Sequence, residues 1–234
     1  MNEFLLEHKN LITFILEILA AVTGLLLYKK YKLTAAKFFI YFLVYLSICD
    51  FAGSYVKYIY NDGFLSFLEG TVFVRNFWWS TLFWKIGAIL FFTFYYKKIL
   101  ETKRFKKIVK YCGYSFCLFS FIYIVFNRDD YFTRFFPIID VLGAIIIFMC
   151  TVFYFIEILQ SDKILTFYKS LDFYISVAIF IWWLIITPTV FYDIYMSSRD
   201  WNYIFLRRYI YISANIFMYL TYTFALIWCK PENK

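Results

Sequence analysis

Long apolar runs follow one another along this chain, with only short polar stretches between them. A helix needs about 20 mostly apolar residues to cross the hydrocarbon core of a bilayer. Seven stretches come close to that length: residues 11–28, 37–59, 76–96, 109–126, 137–158, 171–192 and 208–228. They are continuous, whereas a membrane β-barrel shows segments of about ten alternating residues. The pattern predicts an all-α integral membrane protein built as a bundle of seven transmembrane helices.

The composition agrees with this pattern and limits the number of domains. Hydrophobic residues make up 63% of the 234 residues and aromatic residues 26%, which is far more than a soluble domain carries. No polar linker or soluble segment between the runs is long enough to fold alone. We therefore expect one seven-helix membrane domain over residues 1–234, with the lipid bilayer as its partner.

Lys and Arg residues are distributed unevenly between the two sets of loops. One set, with the C-terminus, holds 15 of the 24 basic residues, the other holds eight, and Lys85 lies inside a span. Short cytoplasmic loops are enriched in Lys and Arg. This asymmetry predicts an external N-terminus, a cytoplasmic C-terminus and a place in the cell membrane, and the abundance of Phe, Tyr, Ile and Lys suggests a bacterial inner membrane. The net charge of +8 then reflects orientation, and we expect no nucleic-acid partner.

One cytoplasmic loop concentrates the positive charge. Residues 97–110 contain seven basic residues and a single acidic one, Glu101. The seven are Lys97, Lys98, Lys103, Arg104, Lys106, Lys107 and Lys110, and they are called the basic patch below. Such a patch contacts anionic lipid headgroups or docks an acidic cytoplasmic protein.

Polar residues within the spans are the candidate functional residues, because charge inside a membrane is costly and usually marks a site. Counting about 1.5 Å per residue from the outer helix ends places Glu17, Asp50, Lys85 and Asn215 roughly 10–13 Å deep. Four helices thus bring polar groups to one level. We expect these side chains to face one another, with Lys85 paired to Asp50 or Glu17.

Two further residues share helix faces with members of this set, and two more lie one turn apart on the sixth span, residues 171–192. Ser54 follows Asp50 by one turn, Tyr211 precedes Asn215 by one turn, and Trp183 and Thr187 stand just before Pro188. Together the eight side chains predict an outward-facing pocket for a small ligand or ion. Three acidic residues near span ends carry little information at this stage: Asp140, Glu157 and Asp172.

The sequence offers no catalytic or cofactor-binding signature. One His and five dispersed Cys residues provide no metal-ligand spacing, so we expect no metal. Residues 208–228 lack the buried Lys that a retinal protein would need, and we expect no cofactor. No nucleophile–base pair or Gly-rich phosphate loop is evident, and we name no catalytic residue.

Three classes of function remain open. The first is a sensory or accessory membrane unit, in which the pocket influences helices whose basic loops face a cytoplasmic partner. The second is a small-molecule or ion carrier, although carriers commonly show internal repeats and helices broken at Gly and Pro. The third is an intramembrane enzyme acting on lipid, with Glu17 and Asp50 as acid and base. We rank them in that order.

Overall fold

The computed structural model describes residues 8–60, 63–195 and 201–231. These residues form α-helices and shorter helical turns, and they include no β-strand. The long helices are α1 Lys9–Leu26, α2 Ala36–Gly53, α3 Phe77–Ile99, α4 Lys103–Phe126, α5 Pro137–Leu159, α6 Leu171–Tyr195 and α7 Trp201–Trp228. A 3-10 turn, Ser54–Tyr58, continues α2.

Six helices, α2 to α7, are long and apolar enough to cross a membrane, while α1 is apolar but shorter. The surface of α4 agrees with such a location. Tyr111, Tyr114, Leu118 and Phe121 form an apolar face of this helix and are 62–67% exposed. Water would penalise so large an apolar face, whereas lipid would not. The predicted all-α class with long apolar helices is therefore confirmed.

Two helices begin well before the apolar runs that predicted them. The run at residues 109–126 belongs to α4, which starts at Lys103, and the run at 208–228 belongs to α7, which starts at Trp201. Charged residues end an apolar run, but they do not end a helix, because Lys and Arg are good helix formers. Hydropathy therefore located the long apolar part of each helix and missed the turns up to and including its charged residues.

Six of the long helices form a closed ring. In order around the ring, α1 packs on α2, α2 touches α3 over a short length, and α5, α6 and α7 follow until α7 meets α1. Helix α4 lies outside the ring against α3 and α5. The ring is filled by aromatic side chains that are almost fully buried: Phe39, Phe92, Tyr95, Tyr96, Tyr219 and Tyr222.

Small residues determine how closely α1 approaches α2. Ala20 is fully buried, and a Cβ added to Gly24 would lie 3.1 Å from the Ile40 side chain. Glu17 lies on the same face, one turn earlier. Small side chains let helix backbones approach closely in a membrane. This face therefore holds the Glu17 carboxyl directly against the neighbouring helices.

The two ends of the bundle are distinguished by which helices begin there. The odd-numbered helices begin at what we call the N end and finish at the opposite C end. At the C end, the Lys30 ammonium donates to the carbonyls of Leu226 and Ile227, at 3.2 and 3.0 Å. The buried Tyr31 hydroxyl lies 2.9 Å from the Leu226 carbonyl. These groups cap the last turn of α7, whose carbonyls would otherwise lack donors.

Candidate functional site

An acid pair, Glu17 on α1 and Asp50 on α2, lies between three helices. Glu17 is fully buried and Asp50 half-buried. The Glu17 carboxyl interacts with the Asp50 carboxyl and with the buried hydroxyl of Tyr219 on α7. Neither Glu17 oxygen makes a hydrogen bond of normal distance and angle to a described residue. The acid pair therefore stands close together with much of its hydrogen-bonding capacity unused.

None of the ion pairs between described residues includes the acid pair. Among the described residues, the side chains that interact with Asp50 and Glu17 are each other, Tyr219 and Cys49. None of these side chains carries a positive charge. Two carboxyls this close, away from bulk water, cannot both carry a negative charge without compensation. The acid pair needs a proton or another cation to remain buried.

Lys85 forms an ion pair with Asp140 on α5, and the expected pairing with Asp50 or Glu17 is not observed. Both side chains are largely buried, at 16% and 9% exposure, and the ammonium lies 4.4 Å from the centre of the Phe135 ring. A helical side chain leans toward the N-terminus of its helix. Lys85 therefore reaches toward the N end, where Asp140 occupies the first turn of α5.

Lys85 stands in a π-helical stretch, Ser80–Ile86, within α3. π-helical turns are rare and occur often at functional sites, because they leave carbonyls outside the regular ladder. The Tyr45 hydroxyl of α2 donates to the Phe83 carbonyl at 2.6 Å. A Cβ at Gly87 would lie 2.7 Å from that hydroxyl, so the glycine makes room for this bond. The stretch is thus stabilised from the neighbouring helix.

Asn215 on α7 accepts a hydrogen bond from the Trp182 indole of α6 at 2.7 Å. The Trp182 ring also packs on Trp84, with 5.5 Å between ring centroids, and Trp84 adjoins Lys85 in α3. In the other direction, Asn215 precedes Tyr219 by four residues, which places both on one face of α7. Asn215 thus lies between the ion pair and the acid pair.

These residues form a series across the six ring helices, linked by side-chain contacts and, at two steps, by neighbouring positions on one helix. It runs from Asp140 through Lys85, Trp84, Trp182, Asn215, Tyr219 and Glu17 to Asp50. We call this series the polar belt. The sequence placed four of its eight members at one level. In the structure Glu17 and Asp50 interact directly, whereas Lys85 and Asn215 are linked to them through aromatic side chains.

The other four predicted pocket residues make their described contacts with groups on their own helices. The Ser54 hydroxyl donates to the backbone carbonyl of Asp50 at 3.0 Å, and the Thr187 hydroxyl donates to that of Trp183 at 2.6 Å. Trp183 is buried against Trp182, with 5.2 Å between ring centroids. Tyr211 is half-buried beneath the guanidinium of Arg207, 5.6 Å away. Their role in binding stays a prediction.

Two surface grooves are lined by other residues. One, of about 320 Å³, lies between α2 and α3, and the second, of about 250 Å³, lies beside it at the C end. Neither groove is lined by any of the eight predicted pocket residues. The polar belt is thus distinct from these two clefts.

The basic patch lies at the C end on a fixed support. Glu157, at the end of α5, accepts hydrogen bonds from the backbone amides of Glu101 and Thr102, at 2.8 and 2.7 Å. These amides precede α4, so the carboxylate caps its first turn. Lys163 pairs with Glu101 at 2.6 Å. Five members of the basic patch are exposed, while Lys106 and Lys110 are half-buried.

Three acidic residues to which the sequence assigned no role all connect helices. Asp140 pairs with Lys85, Glu157 caps α4, and Asp172 on α6 accepts from the Tyr95 hydroxyl of α3. Each stands within the first or last turn of its helix, where an acidic residue usually serves only as an interfacial anchor. One feature of the sequence could have indicated the pairing of Asp140 with Lys85. Because α3 and α5 run in the same direction, Asp140 in the first turn of α5 lies near the N end, toward which the Lys85 side chain leans.

Outside the membrane-crossing segments, two charged groups have shifted acid–base properties. A hydrogen bond from its guanidinium to Asp130 raises the pKa of Arg134. Partial burial lowers the pKa of Lys30, whose ammonium nevertheless caps α7. Among the described residues, no group of three or more His, Cys, Asp or Glu side chains is arranged to hold a metal ion.

Comparison with known proteins adds no relative: no family model matches the chain, and neither the curated proteins nor the solved structures contain a significant match.

Proposed function

We propose that this chain is a seven-span membrane protein that acts as a sensory or accessory unit in a bacterial inner membrane. The polar belt responds to a small ligand or ion that arrives from outside, and the basic patch contacts an acidic cytoplasmic protein. The continuity of the polar belt carries the proposal. A group that alters the acid pair would alter the packing of the ring helices, and two of these, α3 and α5, pack against α4, which carries most of the basic patch.

The seven-span topology places the N end outside and the C end in the cytoplasm. It is supported by the ratio of 15 to eight basic residues in the two sets of loops. Two of the residues counted, Arg199 and Lys234, lie outside the described residues. A phosphatase reporter that works only outside the membrane, fused after Lys234, should be inactive, and a fluorescent reporter that folds in the cytoplasm should be bright. The reverse result would contradict the orientation.

A carrier for protons or small cations is the second candidate. It is favoured by the acid pair, which needs a positive charge and has carboxyl oxygens without good hydrogen bonds. Carriers bind their coupling ions near the middle of the bilayer with groups of this kind. In this alternative, the basic patch serves only to orient the chain in the membrane.

Hydrogen exchange in lipid nanodiscs separates the two candidates. Asp50→Asn should change the exchange protection of the C-end segments 97–110 and 160–170 if the polar belt transmits a signal. The matched control is Ser115→Ala, at an exposed site on α4, and it should leave both segments unchanged. Unchanged segments in Asp50→Asn would contradict the sensory unit. Proton or sodium flux in vesicles that Glu17→Gln abolishes would establish the carrier instead.

A further inference from the structure

The surface between α2 and α3 contains a groove that no step of the proposed function uses. The two helices touch over only a short length, near the π-helical stretch, and leave a cleft of about 320 Å³ beyond it. Its walls are almost entirely apolar and mostly aromatic. The lining residues are Phe38, Tyr41, Phe42, Tyr45, Gly87, Phe91 and Phe94.

The groove faces outward, to the position that lipid occupies around a membrane-crossing helix. Tyr41 is 51% exposed and Phe94 is 40% exposed, although both belong to its walls. Gly87, at the deep end, precedes Lys98 by eleven residues, which corresponds to about 16 Å along a helix. That distance is roughly half of the 30 Å hydrocarbon core. The groove itself ends at Phe94, about 10 Å along α3 from Gly87, and Lys98 lies one turn further.

Two lysines stand where the groove reaches the C end. The Lys98 ammonium lies 5.9 Å from the centre of the Phe38 ring and 5.7 Å from that of Phe94. The Lys37 ammonium lies 5.1 Å from the centre of the Phe38 ring. Aromatic rings attract a cation held over their faces. Both positive charges are therefore held over the aromatic rings at the mouth of the groove.

The second groove begins at the same place. It measures about 250 Å³ and shares Phe38 with the first groove. Lys37 and Lys98 line it together with Thr34. Asp172 also lines it and accepts a hydrogen bond from the Tyr95 hydroxyl, so the two lysines outnumber a single carboxylate there. An apolar cleft about 10 Å long therefore opens into a smaller polar cleft in which positive charge is in excess.

We propose that these two grooves form a binding site for one anionic phospholipid. An acyl chain lies along the aromatic cleft, and the phosphate meets Lys37 and Lys98 in the polar cleft. Charge complementarity selects the ligand, because a zwitterionic lipid brings no net negative charge to the lysines. Basic pockets between helices on the cytoplasmic side are known binding sites for anionic headgroups. The site shares Lys98 with the basic patch but contains no residue of the polar belt, so lipid binding is tested separately from the response of the belt.

Lipid titration in native mass spectrometry tests the proposal on the full chain in detergent. We expect dioleoylphosphatidylglycerol to bind more tightly than dioleoylphosphatidylcholine. Lys37→Gln with Lys98→Gln should weaken phosphatidylglycerol binding roughly thirtyfold, since each lysine near an anionic headgroup contributes severalfold. The matched control is Lys29→Gln with Lys169→Gln, which removes the same charge from exposed positions that line neither groove and lie outside the basic patch. It should change the affinity less than threefold.

Two further ligands show which part of the lipid is recognised. Glycerol phosphate carries the anionic group without acyl chains, and dihexanoylphosphatidylglycerol carries chains too short to fill the aromatic cleft. Both should bind at least tenfold more weakly than dioleoylphosphatidylglycerol. Equal binding of glycerol phosphate would replace the lipid site by a simple anion site and overturn the proposal. Equal loss in the two lysine pairs, or equal affinity for the two dioleoyl lipids, would also overturn it.

Discussion

The ion pair and the acid pair both place charge-bearing groups between helices, but they differ in how the charge is balanced. Lys85 and Asp140 neutralise each other, and the ammonium also lies over an aromatic ring. Glu17 and Asp50 are groups of the same sign, and none of the ion pairs between described residues includes them. The first cluster contains its own counter-charge, whereas the second requires a proton or another cation.

This difference assigns different roles to the two halves of the polar belt. A balanced pair is costly to break and favours a single arrangement of its helices, here α3 and α5. A like-charged pair changes its net charge when a cation arrives, so it can change the packing of α1, α2 and α7. The sequence predicted that Lys85 pairs with Asp50 or Glu17. In the structure Lys85 pairs with Asp140 instead. The acid pair is therefore the part of the belt whose charge can change when a cation binds.

Removing Asp140 should have the largest effect on stability. Asp140→Leu leaves the buried Lys85 without its counter-ion, and breaking a buried pair from one side costs about 3–5 kcal/mol. The free energy of unfolding, measured by denaturant titration in mixed micelles, should fall by that amount. The double variant Asp140→Leu with Lys85→Met replaces both partners and should recover most of the loss. If the two single losses simply add, the residues are not coupled and the comparison fails.

The π-helical stretch offers a smaller test on the side of the ion pair. Tyr45→Phe removes the hydroxyl that donates to the Phe83 carbonyl, and a lost hydrogen bond of this kind costs about 1 kcal/mol. Gly87→Ala should cost about as much, because its methyl group would displace the same hydroxyl. The same unfolding titration applies to both variants. Their combination should cost little more than either alone, and full additivity would mean that Gly87 does not act through Tyr45.

Neutralising one member of the acid pair should have the smallest effect on stability. Glu17→Gln keeps the size of the side chain and removes a group of the same sign as Asp50, so the free energy of unfolding should change by less than about 1 kcal/mol. Asp50→Asn should behave in the same way. A loss as large as that of Asp140→Leu, in the same titration, would show that the acid pair has a counter-ion after all. The two clusters would then be alike.

The sequence predicted the helices well, because a continuous apolar run reports directly on the membrane-crossing part of a helix. Helical periodicity alone also fixes that Glu17 shares a face with Ala20 and Gly24. These features depend on local spacing alone. They required no knowledge of which helices are neighbours in the bundle.

The partners of the polar residues could not be predicted in this way. Depth counted in residues takes no account of the lean of a side chain toward the start of its helix, and this lean brings Lys85 to Asp140. Asn215 accepts a hydrogen bond from the indole N–H of Trp182. A hydropathy analysis scores Trp182 as apolar and so does not show this donor. Glu157 caps a helix other than its own. Each of these contacts depends on the order of helices around the ring, which the apolar pattern does not encode.

Infrared spectroscopy of the carboxyl groups tests the central claim most directly, namely that the acid pair is neutralised by a proton or another cation while Asp140 is ionised beside Lys85. In salt-free detergent at neutral pH, the wild-type protein should show the carbonyl band of a protonated carboxylic acid. Glu17→Gln with Asp50→Asn should remove this band, and Asp140→Asn should leave it unchanged. A band that survives in the first variant and disappears in Asp140→Asn would contradict the account.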